Sequence, residues 1–346
     1  MSLARAQPRQ PGRRRFLRIA AAATGGLALP ALGMPRATPH RRTGVLLGAD
    51  AEIQLYHPDA GFARAAIDAC FVEVQRLEHV FSLHRADSAL SRLNRDGRLA
   101  DPPAELRELL DTALAIGHAT GGAFDVTVQP LWALYAEHFS SPAADPDGPA
   151  AAAIAQALAR VDFRRVRVTE RAIVFGQPGM AITLNGIAQG YITDRVTGLL
   201  RNQGLRDVLV NMGEHRALGA HPDGSPWRIG LADPQRFWRS RGSLPLTDCA
   251  VATSGGYGTP FDASGRHHHL FDPGSGRSAA HYRSVTVIAP DATTADALST
   301  GLTAMAPERA HAVLRAWPQA GALFVGSDGR EWSAGSVPAL RDIARG

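Results

Sequence analysis

The sequence predicts an α+β fold. Strand-like runs outnumber helical ones, the helical runs are grouped rather than alternating one for one with strands, and 35 Gly and 23 Pro cut the chain into short elements. Val45-Leu46-Leu47 and Ile53-Gln54-Leu55-Tyr56 read as a strand pair or hairpin edge, followed by a Pro58–Gly61 turn. Ile67, Phe71, Val74 and Leu77 recur at helical spacing and predict a helix over 63–80. Asp87-Ser88 is a cap for a short helix ending near Asn94 and Gly97, and a further helix runs over 103–120 into Gly121-Gly122. Residues 140–148 read as a loop, with an Ala-rich helix after it up to Arg160.

The second half reads mainly as strands. Val166–Val168, Ala172–Phe175 and Ala181–Leu184 precede a helix from Tyr191 to Gln203 that Gly204 closes. Val208–Asn211, Trp227–Leu231, Ala250–Thr253 and Val285–Ala289 are further strands, and a helix from Thr294 to about Met305 follows.

At 346 residues the chain has ample length for a sizeable core. Its formal charge of +5 comes from Arg alone, since the chain contains no Lys. That absence excludes a Schiff-base enzyme and a P-loop of the usual type. Six of the arginines fall within residues 1–33, which hold no acid, so removing that segment takes the charge from +5 to −1. A nearly neutral remainder argues against a nucleic-acid partner. Cys70 and Cys249 match no metal-ligand spacing and could be buried thiols or one disulfide.

Arg13-Arg14-Arg15-Phe16-Leu17-Arg18 before the apolar stretch 19–32 resembles a twin-arginine export signal. As a helix that stretch would reach about 21 Å, too short to span a bilayer. The expectation is a signal over 1–33, a domain over 44–340, periplasmic localisation through the twin-arginine translocase, and no stable membrane anchor.

Three clusters could carry chemistry. Gly121-Gly122-Ala123-Phe124-Asp125 allows close backbone approach beside an acceptor, and is also an ordinary helix-ending turn. Leu184-Asn185-Gly186-Ile187-Ala188-Gln189-Gly190 delivers a strand to a helix start, where free N–H groups favour a phosphate. Asp296 and Thr300, four apart on one helix face, could offer a carboxylate and a hydroxyl to a hard cation, although an acid with a back-bonding Thr is commoner. His267-His268-His269 lacks a Cys or Glu to complete a zinc site. A general base or a phosphate contact is the better role, with His267 sharing a face with His269 on an extended segment.

In this order the motifs resemble the ApbE family of FAD:protein FMN transferases. They are Phe81-Ser82, Asp87–Asn94, Gly122–Thr127, Gly186–Tyr191, Asp223–Trp227, Thr253-Ser254-Gly255, His269–Pro273 and Ala295–Thr300. The resemblance extends to its exported NosX-like branch. It implies a single T-fold-related α+β domain, FAD as substrate, magnesium as cofactor, and an acceptor protein flavinylated on Ser or Thr with release of AMP.

Carried over residue by residue, the resemblance implies FAD contacts at Leu47, His84, Ala123, Phe124, Asp125 and Leu270. It puts magnesium on Gly186, Asp296 and Thr300 with Ser299 beside them, and makes His269 the base. Thr183 and Gln189 stand at FAD-binding positions where the family often has Asp and Lys, and Gly213-Glu214 replaces a usual Gly-Gly. Asp296 is the single carboxylate of its cluster in sequence. A FAD pyrophosphatase and a non-catalytic flavin-binding maturation factor are the alternatives.

Overall fold

The computed structural model describes residues 37–46, 48–236 and 239–340, so the expected leader and Leu47 lie outside the described residues. In chain order the elements begin with β1 (Thr38–Leu46), β2 (Ala49–His57), α1 (Ala60–Phe81), α2 (Ala89–Asp96), β3 (Arg98–Ala100) and α3 (Ala104–Ala119). Next come α4 (Gln129–His138), α5 (Ala151–Leu158), β4 (Val166–Val168), β5 (Ala172–Phe175), α6 (Ala188–Asn202), β6 (Val208–Met212), β7 (His215–Leu218), β8 (Trp227–Ala232) and β9 (Ser240–Leu246). The chain then forms β10 (Ala250–Ser254), β11 (Phe271–Asp272), β12 (Arg277–Ser278), β13 (Tyr282–Ala289), α7 (Ala292–Thr303), α8 (Pro307–Leu314), β14 (Gly321–Gly326) and β15 (Glu331–Gly335).

Eight strands form one sheet in the order β1-β2-β6-β7-β10-β13-β14-β15, every adjacent pair antiparallel. Its central strands read as unbroken apolar runs because both faces are covered. Val208, Val210 and Met212 of β6 join the core under α1 and α6, whereas Leu209 faces the other way. Likewise Val285, Val287 and Ala289 of β13 pack with α7, and Ile288 packs with the β8–β9 hairpin through Trp227, Ile229 and Leu244. The period of two thus divides one sequence between two cores.

Asp59 shows why the Pro58–Gly61 turn and α1 are one feature. Its carboxylate accepts the N–H groups of Gly61 (2.8 Å) and Phe62 (3.0 Å), capping a helix whose Ile67, Cys70, Val74 and Leu77 are buried. Both cysteines are free thiols, and burial pushes Cys70 up to about 12, which keeps it protonated and inert. Among the described residues no helix is long and apolar enough to cross a membrane.

One expected strand is absent. Ala181–Leu184 has no strand partner; its backbone is satisfied by a side chain instead. Asn94 accepts the Ile182 N–H (2.7 Å) and donates to the Ile182 carbonyl (2.8 Å), and Thr183 N–H donates to Val126 (2.8 Å). One amide side chain thereby imitates a neighbouring strand and leaves the segment free to deliver Thr183 and Gly186 to the site. Asn94→Ala leaves two backbone groups unpaired and should cost about 2 kcal/mol by urea denaturation. The exposed neighbour substitution Arg95→Ala should stay within about 0.5 kcal/mol.

Candidate active site

A cleft opens where the start of α6, the middle of α7 and the ends of β6, β7 and β10 converge. Ala123–Asp125, Thr183, Gly186, Gln189, Glu214, Thr253–Gly255, His269, Leu270, Asp296 and Thr300 line it. These come from six separate stretches of chain, so the fold assembles what the sequence holds apart.

The contact between α6 and α7 sets the geometry. A side chain at Gly190 would overlap the Ala292 carbonyl, and one at Gly186 would come within 2.8 Å of Thr300 Oγ1. Glycine at both places lets α7 lie directly on the start of α6. Ala292, Asp296 and Thr300, spaced four apart, form the stripe that meets them. The Gly190 N–H donates to Asp296 Oδ2 at 3.0 Å. One of the N–H groups at this helix start is thus taken by the Asp296 carboxyl.

Asp296 is only 3% exposed, and this burial, opposed by the Gly190 N–H and reinforced by Asp194, pushes its carboxyl up to about 7. It is not the only acid of its cluster. Glu214 also borders the cleft, and burial together with repulsion by Asp296 holds its carboxyl well above the usual carboxylate range. Sequence reading registered Glu214 only as a departure, because nothing local shows that β7 brings it to α7. Two acids that resist ionising together are a place a cation would neutralise.

Hydroxyls complete the wall. Ser299 Oγ donates to the Asp296 carbonyl (2.9 Å) and lies 2.7 Å from Ser254 Oγ, which in turn is 3.2 Å from Thr300 Oγ1. Ser299 is buried behind the wall and not on it, whereas Thr300 lines the cleft. Among the described residues no group of three or more His, Cys, Asp or Glu could hold a metal. A cation here would draw on the Asp296 carboxylate, the Thr300 hydroxyl and the Gly186 backbone, an all-oxygen set that fits a hard ion such as magnesium.

The three consecutive histidines do three different things. Bends on either side of His268 break the extended geometry, and only His269 lines the cleft. Its Nδ1 donates to the Thr259 carbonyl (3.3 Å), so Nε2 carries the lone pair. His268 bridges the Ala279 carbonyl and the Leu270 N–H. His267 packs on Tyr135 and Phe139 and hydrogen-bonds the Pro146 carbonyl, away from the cleft, which removes it as a stand-in for His269.

Asp125 borders the cleft yet gives both oxygens to the protein. Oδ1 accepts Thr127 N–H (2.7 Å) and Oγ1 (2.6 Å), and Oδ2 accepts Phe163 N–H (3.1 Å). Burial raises its pKa against those bonds. Thr183 and Gln189 both reach the cleft, Gln189 packed against Gly213. Leu270 reaches it too, although its N–H and carbonyl are bound by His268 and Ala279. His84 does not; it is exposed on the turn after α1. Arg241, paired with Glu331, and Trp132 also line the cleft and carried no sequence signal.

The ApbE family model matches residues 47–324, which takes in every one of these cleft residues. The chain belongs to the ApbE family. It is 32% identical over 335 residues to the FAD:protein FMN transferase of Treponema pallidum, covering 89% of this chain and 91% of that one. The ApbE protein of Thermotoga maritima superposes with a TM-score of 0.76 at 30% identity, over 86% of this chain and 97% of its own. The flavin transferase ApbE of Vibrio cholerae gives 0.73 at 28% identity, over 86% and 97%.

In this ApbE-family site the raised Asp296 carboxyl has a measurable cost. Between about pH 4 and 7 the folded state keeps a proton that the unfolded state has lost, so stability falls as pH rises through that window. In chelator, Asp296→Asn should therefore gain on the wild type as pH rises from 4 to 7 and hold that gain above 7. Thermal denaturation of both proteins across the range checks this; a constant difference would mean that Asp296 ionises like an exposed carboxylate.

Proposed function

We propose that this protein moves FMN from FAD to a Ser or Thr hydroxyl of another protein and releases AMP. The observation that carries the reading is one cleft, in a chain of this family, that His269 and the Asp296–Thr300 pair line together. In the reaction the acceptor hydroxyl gives its proton to His269 Nε2 while its oxygen bonds to the FMN phosphorus. The bond from that phosphorus to the AMP oxygen breaks in line, and AMP leaves.

Thr259 holds the imidazole in the tautomer this needs. Asp296, Thr300 and the Gly186 backbone would hold magnesium, which when bound neutralises diphosphate charge. Ala123, Phe124 and Leu270 supply apolar wall for the nucleotide, with Phe124 seated on Gly301 of α7. Thr183 and Gln189 stand together in the cleft, so the exchange of an acid and a base relative to the family leaves its charge balanced.

Incubating the protein with FAD, magnesium and an acceptor domain should give an acceptor heavier by FMN, detected by mass spectrometry, with one AMP per transfer. His269→Ala should bind FAD as the wild type does and lose transfer by 10²-fold or more, about the contribution of general base catalysis. Equal release of FMN and AMP without any acceptor would instead make the chain a pyrophosphatase.

The leader supports work in the periplasm. Replacing Arg13 and Arg14 with Lys should leave the precursor in the cytoplasm; undiminished periplasmic protein in a fractionation assay would remove the twin-arginine translocase from the account.

A further inference from the structure

The first turn of α7 is held by two carboxylates from different parts of the chain. An isolated helix start leaves its leading N–H groups unpaired, and a single cap residue satisfies one or two of them. Here Asp291, the N-cap, accepts Thr294 N–H (2.7 Å) and its hydroxyl (3.0 Å). The two N–H groups it cannot reach, of Ala292 (2.8 Å) and Thr293 (2.9 Å), go to Asp194 on α6, which also accepts the Thr293 hydroxyl (2.6 Å). Ala292 is fully buried and Thr293 nearly so, so without Asp194 these donors would have no water to turn to.

Asp194 is itself anchored. Arg216 of β7 forms an ion pair with it, both side chains being mostly buried. The adjacent Thr193 donates from one hydroxyl to the carbonyls of Gln189 (2.8 Å) and Glu214 (3.3 Å). The pair Thr193-Asp194 therefore ties α6, β7 and α7 together at the point where each contributes to the cleft.

We infer that Asp194 is a positioning residue for the cation site. By fixing both the start and the rotation of α7, it aims Asp296 and Thr300 at Gly190 and Gly186. A helix advances 100° per residue, so a small slip of the first turn carries every side chain of the Ala292–Asp296–Thr300 stripe off that line. Asp194 touches neither the nucleotide nor the ion in this role. The inference rests on the magnesium reading above, and its test separates the two.

The experiment is calorimetric titration of FAD into the full protein at stepped magnesium concentrations, with no acceptor and no turnover. Asp194→Asn should raise the magnesium concentration needed for half-maximal FAD affinity at least tenfold, while FAD affinity in chelator stays as in the wild type. Thr293→Val, which loses one bond of the three, should move it in the same direction by less, and Thr293→Ser should restore it. Leu90→Ala, a fully buried core truncation in α2, should lower the melting temperature without shifting the magnesium midpoint. If Asp194→Asn does not fold, Thr293→Val against Thr293→Ser decides by the same midpoint. An Asp194→Asn midpoint equal to the wild type, or an equal shift in Leu90→Ala, overturns the inference alone. Wild-type FAD affinity that ignores magnesium overturns the metal reading and this inference with it.

Discussion

Burying the Asp296 carboxylate against the first turn of α6 constrains almost everything around the cleft. The Gly190 N–H can reach Asp296 only if the helices touch, and they can touch only because residues 186 and 190 lack side chains. The same closeness puts Thr300 beside Gly186 and draws the first turn of α7 under Asp194. Once α7 is placed, Gly301 receives Phe124 and the Ala123–Asp125 wall follows. The placement of Thr300, of the first turn of α7 and of the Ala123–Asp125 wall thus goes with one hydrogen bond.

Electrostatics points the same way. Two acids, Asp296 and Glu214, border one cleft, and each is harder to ionise than in water. Such an arrangement lowers stability in the protein by itself, and a cation bound there would relieve it. His215, beside Glu214, is held neutral by burial, its pKa lowered to about 4, and adds no positive charge.

Most of the architecture was legible because it rests on local signals. Helical spacing of Ile67, Val74 and Leu77, the Ser88 cap, and the apolar runs of β6, β10 and β13 each report one element without reference to the rest. Ala181–Leu184 misled because extended backbone reads as a strand whether a strand or Asn94 pairs with it. Asp296, Thr300, Gly186 and His269 were legible through the family's motifs, and the structure does bring them to one cleft. Glu214, Asp194 and Arg241 were not, since their importance lies in which distant segment they face. His84 sits outside the cleft, and Ser299 behind its wall, because motif position fixes a place in the chain and not a direction for the side chain.

The order of strands in the sheet has a consequence for how the protein comes into being. Strand β2 pairs with β6, Ile53 opposite Val210, and the core beyond it needs β13 and β14 from near the other end of the chain. Loop closures of that length slow folding, and a nascent chain that has made only its first half would expose the apolar edge of β2. Synthesis must be nearly finished before α7 has a sheet to rest on. The cleft is then among the last features to form, so a binding-competent site exists only once nearly the whole chain has folded.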